Sequence, residues 1–156
     1  MTYFVTGASG FIGKRLVRKL LARKNSTVYF LIRAESKKKV DKLLAFWGDD
    51  AAKRCIPVVG DLAKPFLGVH PNDRAKLKGK IKHFFHLAAV YDMTASAEDN
   101  RTANVLGTEH AVALANEIKA GLFHHMSSIA VAGNYEGVFR EDMFDEAKDY
   151  LDHPYM

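Results

Sequence analysis

The residues with the clearest chemistry are three glycines near the start of the chain, each three positions from the next. Gly7, Gly10 and Gly13 follow a short β-rich run at 3–5 and precede apolar residues at helical spacing. Glycines let a backbone approach an anion closely, and a helix N-terminus presents free N–H groups and a positive dipole end. The pattern therefore predicts a phosphate-binding turn, and an ordinary Gly-rich turn is the alternative. The residues assigned to binding are Thr6, Gly7, Ser9, Gly10, Phe11, Ile12 and Gly13.

A cation stands where the second predicted strand ends. Arg33 directly follows the apolar run 27–32, with Ser36 and the lysines 37–39 close behind. At this place a dinucleotide site has a carboxylate for the ribose hydroxyls of NAD, or a positive group for the 2′-phosphate of NADP. A charge-assisted bond from arginine to phosphate contributes about 1.5–3 kcal/mol. Arg33 thus predicts NADP(H) as the cofactor, unless it is only a strand-end cation.

Polar and small residues also follow the third, fourth and fifth predicted strands. Asp61 would accept from the adenine amino group with Leu62 packed on the ring, although a turn aspartate is common at such a place. Ser127 and Ser128 end strand five, where two hydroxyls can hydrogen-bond a substrate carbonyl. After strand four, small residues would let the backbone pass the cofactor, and an amide on the following helix would face them or bridge the backbone. The residues assigned to the cofactor after these strands are Asp61, Leu62, Leu87, Ala88, Ala89, Tyr91, Asn104 and Ser127.

Strands and helices alternate along the chain, which predicts a parallel sheet with right-handed crossovers. The predicted fold class is α/β, a Rossmann-type doubly wound parallel sheet of order 3-2-1-4-5 with helices on both faces. Its ligand crevice would lie where strands one and four diverge, and one domain would span 1–156. The predicted strands are 3–6, 27–32, 56–59, 83–87 and 122–126. The first helix, 11–23, would bury Ile12, Leu16, Val17, Leu20 and Leu21.

Charge and composition narrow the class of protein. The net charge of +5 invites a nucleic-acid interpretation, but acids interrupt the cations, which favours solvated helix faces. The single cysteine, Cys55, excludes an internal disulfide and is typical of a cytoplasmic protein. No apolar run reaches membrane-spanning length. Histidines at 83, 86, 124 and 125 fall on two strands, but alternation turns them to opposite faces, so no metal site is predicted.

Five motifs in this order together resemble the extended short-chain dehydrogenase/reductases. They are Thr-Gly-x-x-Gly-x-x-Gly at 6–13, Gly-Asp-Leu at 60–62, His-Leu-Ala-Ala at 86–89, Asn-Val-x-Gly-Thr at 104–108 and Ser-Ser-x-x-Val-x-Gly at 127–133. Within that group, Leu-Ile-Arg-Ala at 31–34 and Ala-Ala-Val-Tyr-Asp at 88–92 resemble the fatty-acyl (acyl-CoA or thioester) reductases. The resemblance covers the whole chain.

The resemblance implies a reaction and two catalytic residues. The reaction is NADPH-dependent reduction of a fatty acyl-CoA, an acyl thioester or a fatty aldehyde. Ser128 would position the carbonyl, and Tyr155 would give the proton with its pKa lowered by a lysine four places further on. The chain ends one residue after Tyr155. We therefore expect a chain truncated just after the catalytic tyrosine, a cofactor-binding portion that turns over little or nothing.

Two other functions stay open at this point. A nucleotide-sugar epimerase or dehydratase shares the fold but usually keeps NAD, against which Arg33 counts. A non-catalytic NADP-binding module would explain the missing lysine. The expected partner is a small-molecule acyl thioester or aldehyde, with no nucleic acid and no integral membrane segment. A homo-oligomer stays open.

Overall fold

Five parallel strands form one sheet in the order β3-β2-β1-β4-β5 in the computed structural model, which describes residues 1–90, 94, 96–143 and 145–152. The order confirms the predicted 3-2-1-4-5 arrangement and the Rossmann-type fold class. Neighbouring strands pair in parallel register, with Val5 opposite Phe30 on one side and Phe85 on the other. The strands are β1 Thr2–Thr6, β2 Thr27–Ile32, β3 Cys55–Val59, β4 His83–His86 and β5 Leu122–His125.

Helices connect the strands and cover both faces of the sheet. The predicted long helix at 99–119 is a succession of α5, a π-helical segment at Arg101–Leu106 and α6. Single π-helical turns are rare and are often found at functional sites. The helices are α1 Phe11–Leu21, α2 Val40–Trp47, α3 Ala51–Arg54, α4 Pro71–Leu77, α5 Ala97–Asn100 and α6 Gly107–Glu117. None of the helices in these described ranges is long and apolar enough to cross a membrane.

The strand alternation divides the core into two apolar clusters, one on each face of the sheet. On one face Tyr3, Val5 and Phe30 pack with side chains of α1 and α2. On the other face Phe4 and Phe84 stack with ring centroids 4.7 Å apart and pack with side chains of α6. A sheet buried on both faces needs strands that are apolar throughout, which explains the continuous apolar run of β2.

One predicted core residue of α1 lies on the surface. Val17, Leu20 and Leu21 are buried as expected, but Ile12 is 52% exposed. Ile12 belongs to the first turn of α1, where the helix meets the Gly-rich turn. The buried residue of that turn of the helix is Gly13. It lies so close to the backbone of the Gly-rich turn that a side chain at this position would collide with it. Helical periodicity alone does not register this close approach of two backbone segments.

The C-terminus of α1 is held by an arginine from α3. The Arg54 guanidinium donates to the carbonyl oxygens of Leu21 at 2.6 Å, Arg23 at 2.9 Å and Ser26 at 3.0 Å, and also to the Ser26 hydroxyl. The last carbonyls of a helix lack partners within the helix, and a cation there also interacts favourably with the helix dipole. Arg54 therefore fixes the loop that leads from α1 into β2.

We predict that Arg54→Ala lowers the free energy of unfolding by about 2 kcal/mol, because several carbonyls lose a charged donor. Urea unfolding followed by circular dichroism measures the change. Lys53→Ala is the matched control, since Lys53 is exposed and its ion pair with Asp50 is 3.8 Å long. Its removal should change stability by less than about 0.5 kcal/mol. Equal unfolding midpoints for the two variants would contradict the role given to Arg54.

Candidate functional site

A crevice of about 470 Å³ opens at the carboxyl edge of the sheet, where β1 and β4 diverge. This is the place where doubly wound sheets bind ligands. Nine of the residues assigned from the sequence line it: Gly7, Ser9, Gly10, Arg33, Asp61, Leu62, Leu87, Ala88 and Ala89. Among the lining residues that were not assigned are Ser36, Lys39, Thr102 and Ala103. The last two belong to the π-helical segment, whose position over the crevice is not visible in the sequence.

The Gly-rich turn is built by backbone contacts that exclude side chains. Gly7 has φ +69°, and the turn is closed by a hydrogen bond from Gly10 N to Gly7 O at 2.9 Å. A Cβ on Gly7 would lie 2.8 Å from the backbone nitrogen of Ala88, and one on Gly13 would lie 2.1 Å from Gly7 O. The turn therefore lies directly against the segment after β4 at Gly7, and the start of α1 lies directly against the turn at Gly13.

The start of α1 presents its backbone amides towards this turn. Gly10 is the N-cap in extended conformation, no side chain caps the helix there, and no acidic residue stands in the first turn. The side chains of Phe11 and Ile12 point to solvent, and the Arg15 guanidinium lies 3.7 Å from the centre of the Phe11 ring. Only the backbone of these two residues therefore faces the anion site, which favours the predicted phosphate-binding turn.

Arg33 lies at the crevice, but it is already paired. It is 68% exposed, and its Nε lies 3.2 Å from a carboxylate oxygen of Glu35. Lys39 lines the same crevice, and Ser36 is buried beside it. The sequence has no acid directly after β2, so the ion pair with Glu35, two positions further on, was not predicted. Arg33 and Lys39 thus line the crevice near the end of β2, and Glu35 competes for Arg33.

Asp61 and Leu62 both line the crevice at the end of β3, and each also has a structural contact. The Asp61 carboxylate accepts from the backbone N–H of Ala63 at 3.0 Å, which is the turn geometry named as the alternative. Leu62 is partly buried and packs close to Gly107 at the start of α6. A carboxylate has a second oxygen, so the turn contact leaves acceptor capacity towards the crevice.

The wall after β4 is held by hydroxyl and amide side chains. The Thr6 hydroxyl accepts from the backbone N–H groups of Leu87 at 3.2 Å and Ala88 at 3.1 Å. Asn104 accepts from Val90 N at 2.8 Å and donates to Val90 O at 3.0 Å. Thr6 and Asn104 thus fix the backbone of this wall, and Asn104 makes the backbone bridge that was one expectation. Tyr91, the remaining residue assigned here, lies outside the described residues.

A second cavity of about 140 Å³ adjoins the crevice through Ala88 and Ala89. Ser127 and Ser128 line it, as predicted for residues at the end of β5. The Ser128 hydroxyl accepts from Ala130 N at 3.2 Å and caps a short 3₁₀ turn at Ile129–Ala132. A hydroxyl that accepts one bond still has its proton to donate. Tyr155, the other predicted catalytic residue, lies outside the described residues.

The four strand histidines form two stacked pairs on opposite faces of the sheet. His83 Nδ1 lies 3.0 Å from His124 Nε2 on one face, and the rings of His86 and His125 stack 5.6 Å apart on the other. This is the alternation that the sequence predicted. Among residues 1–90, 94, 96–143 and 145–152 no three His, Cys, Asp or Glu side chains come close enough to hold a metal ion.

His86 is buried to 1% exposure, which disfavours its charged form. Burial, and to a lesser extent the neighbouring His125, lower the pKa of His86 from 6.5 to about 4. Its ring bonds to the hydroxyls of Thr6 at 2.8 Å and Thr108 at 3.3 Å. The sequence placed His86 in the His-Leu-Ala-Ala motif and among the histidines that were weighed as metal ligands and rejected, and nothing in it indicated these two hydroxyl partners.

The comparisons with known proteins establish the class. Residues 5–154 match the NAD-binding family described as "Male sterility protein". The chain therefore belongs to this family of the extended short-chain dehydrogenase/reductases, as the motifs indicated.

Curated relatives of the chain are reductases and peptide synthetases. A linear gramicidin synthase of Brevibacillus parabrevis is 32% identical over 156 residues, covering 92% of this chain and 3% of the synthase. A candidate fatty acyl-CoA reductase of Drosophila melanogaster is 32% identical over 131 residues, covering 74% of this chain and 25% of that protein. The chain thus spans a quarter or less of the length of these two relatives.

Solved structures share the fold over nearly the whole chain. The terminal R domain of the myxalamid PKS-NRPS biosynthetic pathway superimposes with a TM-score of 0.84 at 28% identity, covering 99% of this chain and 42% of that domain. A UDP-glucuronic acid 4-epimerase of Bacillus cereus in complex with NAD superimposes with a TM-score of 0.67 at 25% identity, covering 92% of this chain and 45% of that enzyme.

We predict that Gly13→Ala lowers the free energy of unfolding by about 2 kcal/mol, because its Cβ would overlap the carbonyl of Gly7 and force the turn apart. Gly107→Ala is the matched control. Its Cβ would lie 3.4 Å from Leu62 Cβ, an ordinary contact, and its backbone is helical. That variant should gain up to about 1 kcal/mol from helix propensity. Urea unfolding of both variants measures the difference, and equal effects would contradict the packing described here.

We predict that acid weakens the fold through His86. Because its pKa is lowered on folding, the unfolded chain binds the extra proton between pH 6.5 and about 4, so stability is complete above that window and falls as pH drops through it. Between pH 7 and pH 5, His86 should account for a loss of about 2 kcal/mol in the free energy of unfolding. Urea unfolding of the wild type and of His86→Gln at both pH values isolates it. The same pH-dependence in both proteins would contradict the assignment to His86.

Proposed function

We propose that residues 1–156 form the NADP-binding Rossmann domain of a reductase that acts on a fatty acyl-CoA, another acyl thioester or a fatty aldehyde. The observation that carries the proposal is the adjacency of the two cavities, which share Ala88 and Ala89 in their linings. The Gly-rich turn and two cations line the first cavity, and Ser127 and Ser128 line the second. A dinucleotide is an elongated ligand with phosphates at its middle, which suits this sequence of chemical groups.

The cofactor preference rests on the charges at the end of β2. Arg33 and Lys39 line the crevice there, so a 2′-phosphate would contact both the planar guanidinium of Arg33 and the ammonium of Lys39. Glu35 holds Arg33 at 3.2 Å, but the pair is exposed. Exposed ion pairs contribute little, about 0–1 kcal/mol, so a doubly charged phosphate competes for the guanidinium successfully. NADPH is therefore the proposed cofactor rather than NADH.

The residues present suit a nicotinamide dinucleotide at three points. Amides at the start of α1 would hold the diphosphate, Asp61 and Leu62 would receive the adenine, and Arg33 the 2′-phosphate. The bound cofactor supplies the hydride. Ser128, whose hydroxyl proton stays available, would orient the substrate carbonyl. Tyr155 is the proposed proton donor by resemblance to the family, and its lysine partner would stand beyond position 156.

An epimerase or dehydratase of nucleotide sugars is the second candidate within the fold. It is favoured by the likeness to an epimerase that binds NAD. Arg33 and Lys39 are evidence against this candidate, since an NAD site has a carboxylate for the ribose hydroxyls at the end of β2. A non-catalytic NADP-binding module differs from the reductase only in turnover, so the two are separated by an assay for NADPH oxidation with a long-chain acyl-CoA in a longer chain that includes the lysine partner of Tyr155.

We predict that Arg33→Ala weakens NADPH binding by about tenfold to a hundredfold and leaves NADH binding unchanged, because only NADPH has the 2′-phosphate. Isothermal titration calorimetry with both cofactors measures the dissociation constants. Glu35→Gln is the matched control, since it removes the charge that competes for Arg33 and should bind NADPH at least as tightly as the wild type. Equal losses for NADPH and NADH in Arg33→Ala would contradict the proposed contact. Wild-type binding of NADH alone would favour the epimerase.

A further inference from the structure

The Thr6 hydroxyl has only one way to use its proton within the described part of the chain. Its oxygen accepts from the backbone N–H groups of Leu87 and Ala88, which occupy both lone pairs. Thr6 is 0% exposed, so no bulk water reaches it. The remaining polar contact of the hydroxyl is with His86 Nδ1 at 2.8 Å. Thr6 must therefore donate to His86, and Nδ1 must be the unprotonated nitrogen of the ring.

The other side of the ring leads to the same assignment. The Thr108 hydroxyl lies 2.6 Å from the carbonyl oxygen of Asn104, to which it can only donate. Its oxygen is then an acceptor for His86 Nε2 at 3.3 Å. A neutral imidazole with Nδ1 unprotonated carries its proton on Nε2, which is the nitrogen that faces Thr108. Both hydroxyls thus fix one tautomer of His86.

The bonds on either side of His86 end on the wall of the crevice. Through Thr6 they reach the amides of Leu87 and Ala88, against which Gly7 lies with no room for a Cβ. Through Thr108 they reach the carbonyl of Asn104, whose side chain bridges the backbone of Val90. The segment 87–90 is therefore held from both ends, and it lines the crevice and, at Ala88 and Ala89, the second cavity.

We propose that His86 is a positioning residue of the cofactor crevice: a neutral imidazole, protonated on Nε2, that orders the hydroxyls of Thr6 and Thr108 and thereby fixes the backbone 87–90. The proposal rests on the proposed dinucleotide function for its effect on affinity. The relay itself is a property of the chain alone. A protonated ring, or a proton on Nδ1, would direct a third donor at the Thr6 oxygen and displace at least one of the two wall amides.

The test compares three variants of the full chain. His86→Gln offers one acceptor and one donor in place of the two ring nitrogens, and His86→Leu offers neither. His83→Leu is the matched control, because His83 lies on the same strand but on the opposite face, where it bonds to His124. Calorimetric titration with NADPH gives the affinity of each protein. Nitrogen-15 spectra of the histidine rings and hydrogen exchange of the Leu87 and Ala88 amides give the state of the relay without ligand.

We expect His86→Leu to bind NADPH at least about tenfold more weakly, with His86→Gln and His83→Leu within about threefold of the wild type. The wild-type spectrum at neutral pH should show the His86 proton on Nε2, and exchange of the two amides should accelerate only in His86→Leu. A proton on Nδ1, a charged ring at neutral pH, or a folded His86→Leu with wild-type affinity and exchange would each overturn the proposal. If His86→Leu does not fold, the wild-type spectrum and His86→Gln still decide.

The two proposals fail in different ways. A wild-type chain that binds neither NADPH nor NADH overturns the proposed function, while the ring spectrum and the exchange rates still test the relay. A wild type that binds NADPH, with the His86 proton on the wrong nitrogen, overturns the relay alone.

Discussion

The structure depends on one backbone contact, in which the Gly-rich turn after β1 lies against the segment that follows β4. Gly7 adopts φ +69°, and the position of its missing Cβ lies 2.8 Å from Ala88 N. Gly13, in the first turn of α1, also has no room for a Cβ, which would lie 2.1 Å from Gly7 O. The crevice and its wall are built around this close approach.

The polar groups around this contact fall into two sets, those that bond within the protein and those that line the crevice. Amides that face away from the crevice are satisfied by buried hydroxyls, as with Thr6 and the amides of Leu87 and Ala88. The start of α1 has no side-chain cap, and Lys39 and Arg33 line the crevice, Arg33 in an exposed pair with Glu35. Donors gathered around a crevice make an anionic, elongated ligand the natural occupant. The family match of residues 5–154 agrees with this chemistry.

Local patterns predicted most of the fold, and contacts between distant positions account for what they missed. The strand order is confirmed, because the alternation of strands and helices that predicts it can be recognised from local periodicity. The Gly-rich turn is confirmed because the spacing of its glycines is a local signal. The burial of Ile12 was predicted wrongly, since the neighbouring backbone and not helical period decides the first turn of α1. The roles of His86 and Thr108 depend on strand register and helix placement, which bring together residues 22 positions apart in the chain. Glu35 was overlooked because a 3₁₀ turn returns it to Arg33.

The measurement that tests the account most directly is a nitrogen-15 and proton NMR titration of the chain with NADPH. The account predicts that amide shifts concentrate at 7–13, 33–39, 60–63, 87–90 and 127–128, and that the amides of α3 and α4 stay unchanged. Shifts spread over other surfaces, or no shifts at NADPH concentrations well above those of cellular cofactors, would contradict the assignment of the crevice as a dinucleotide site.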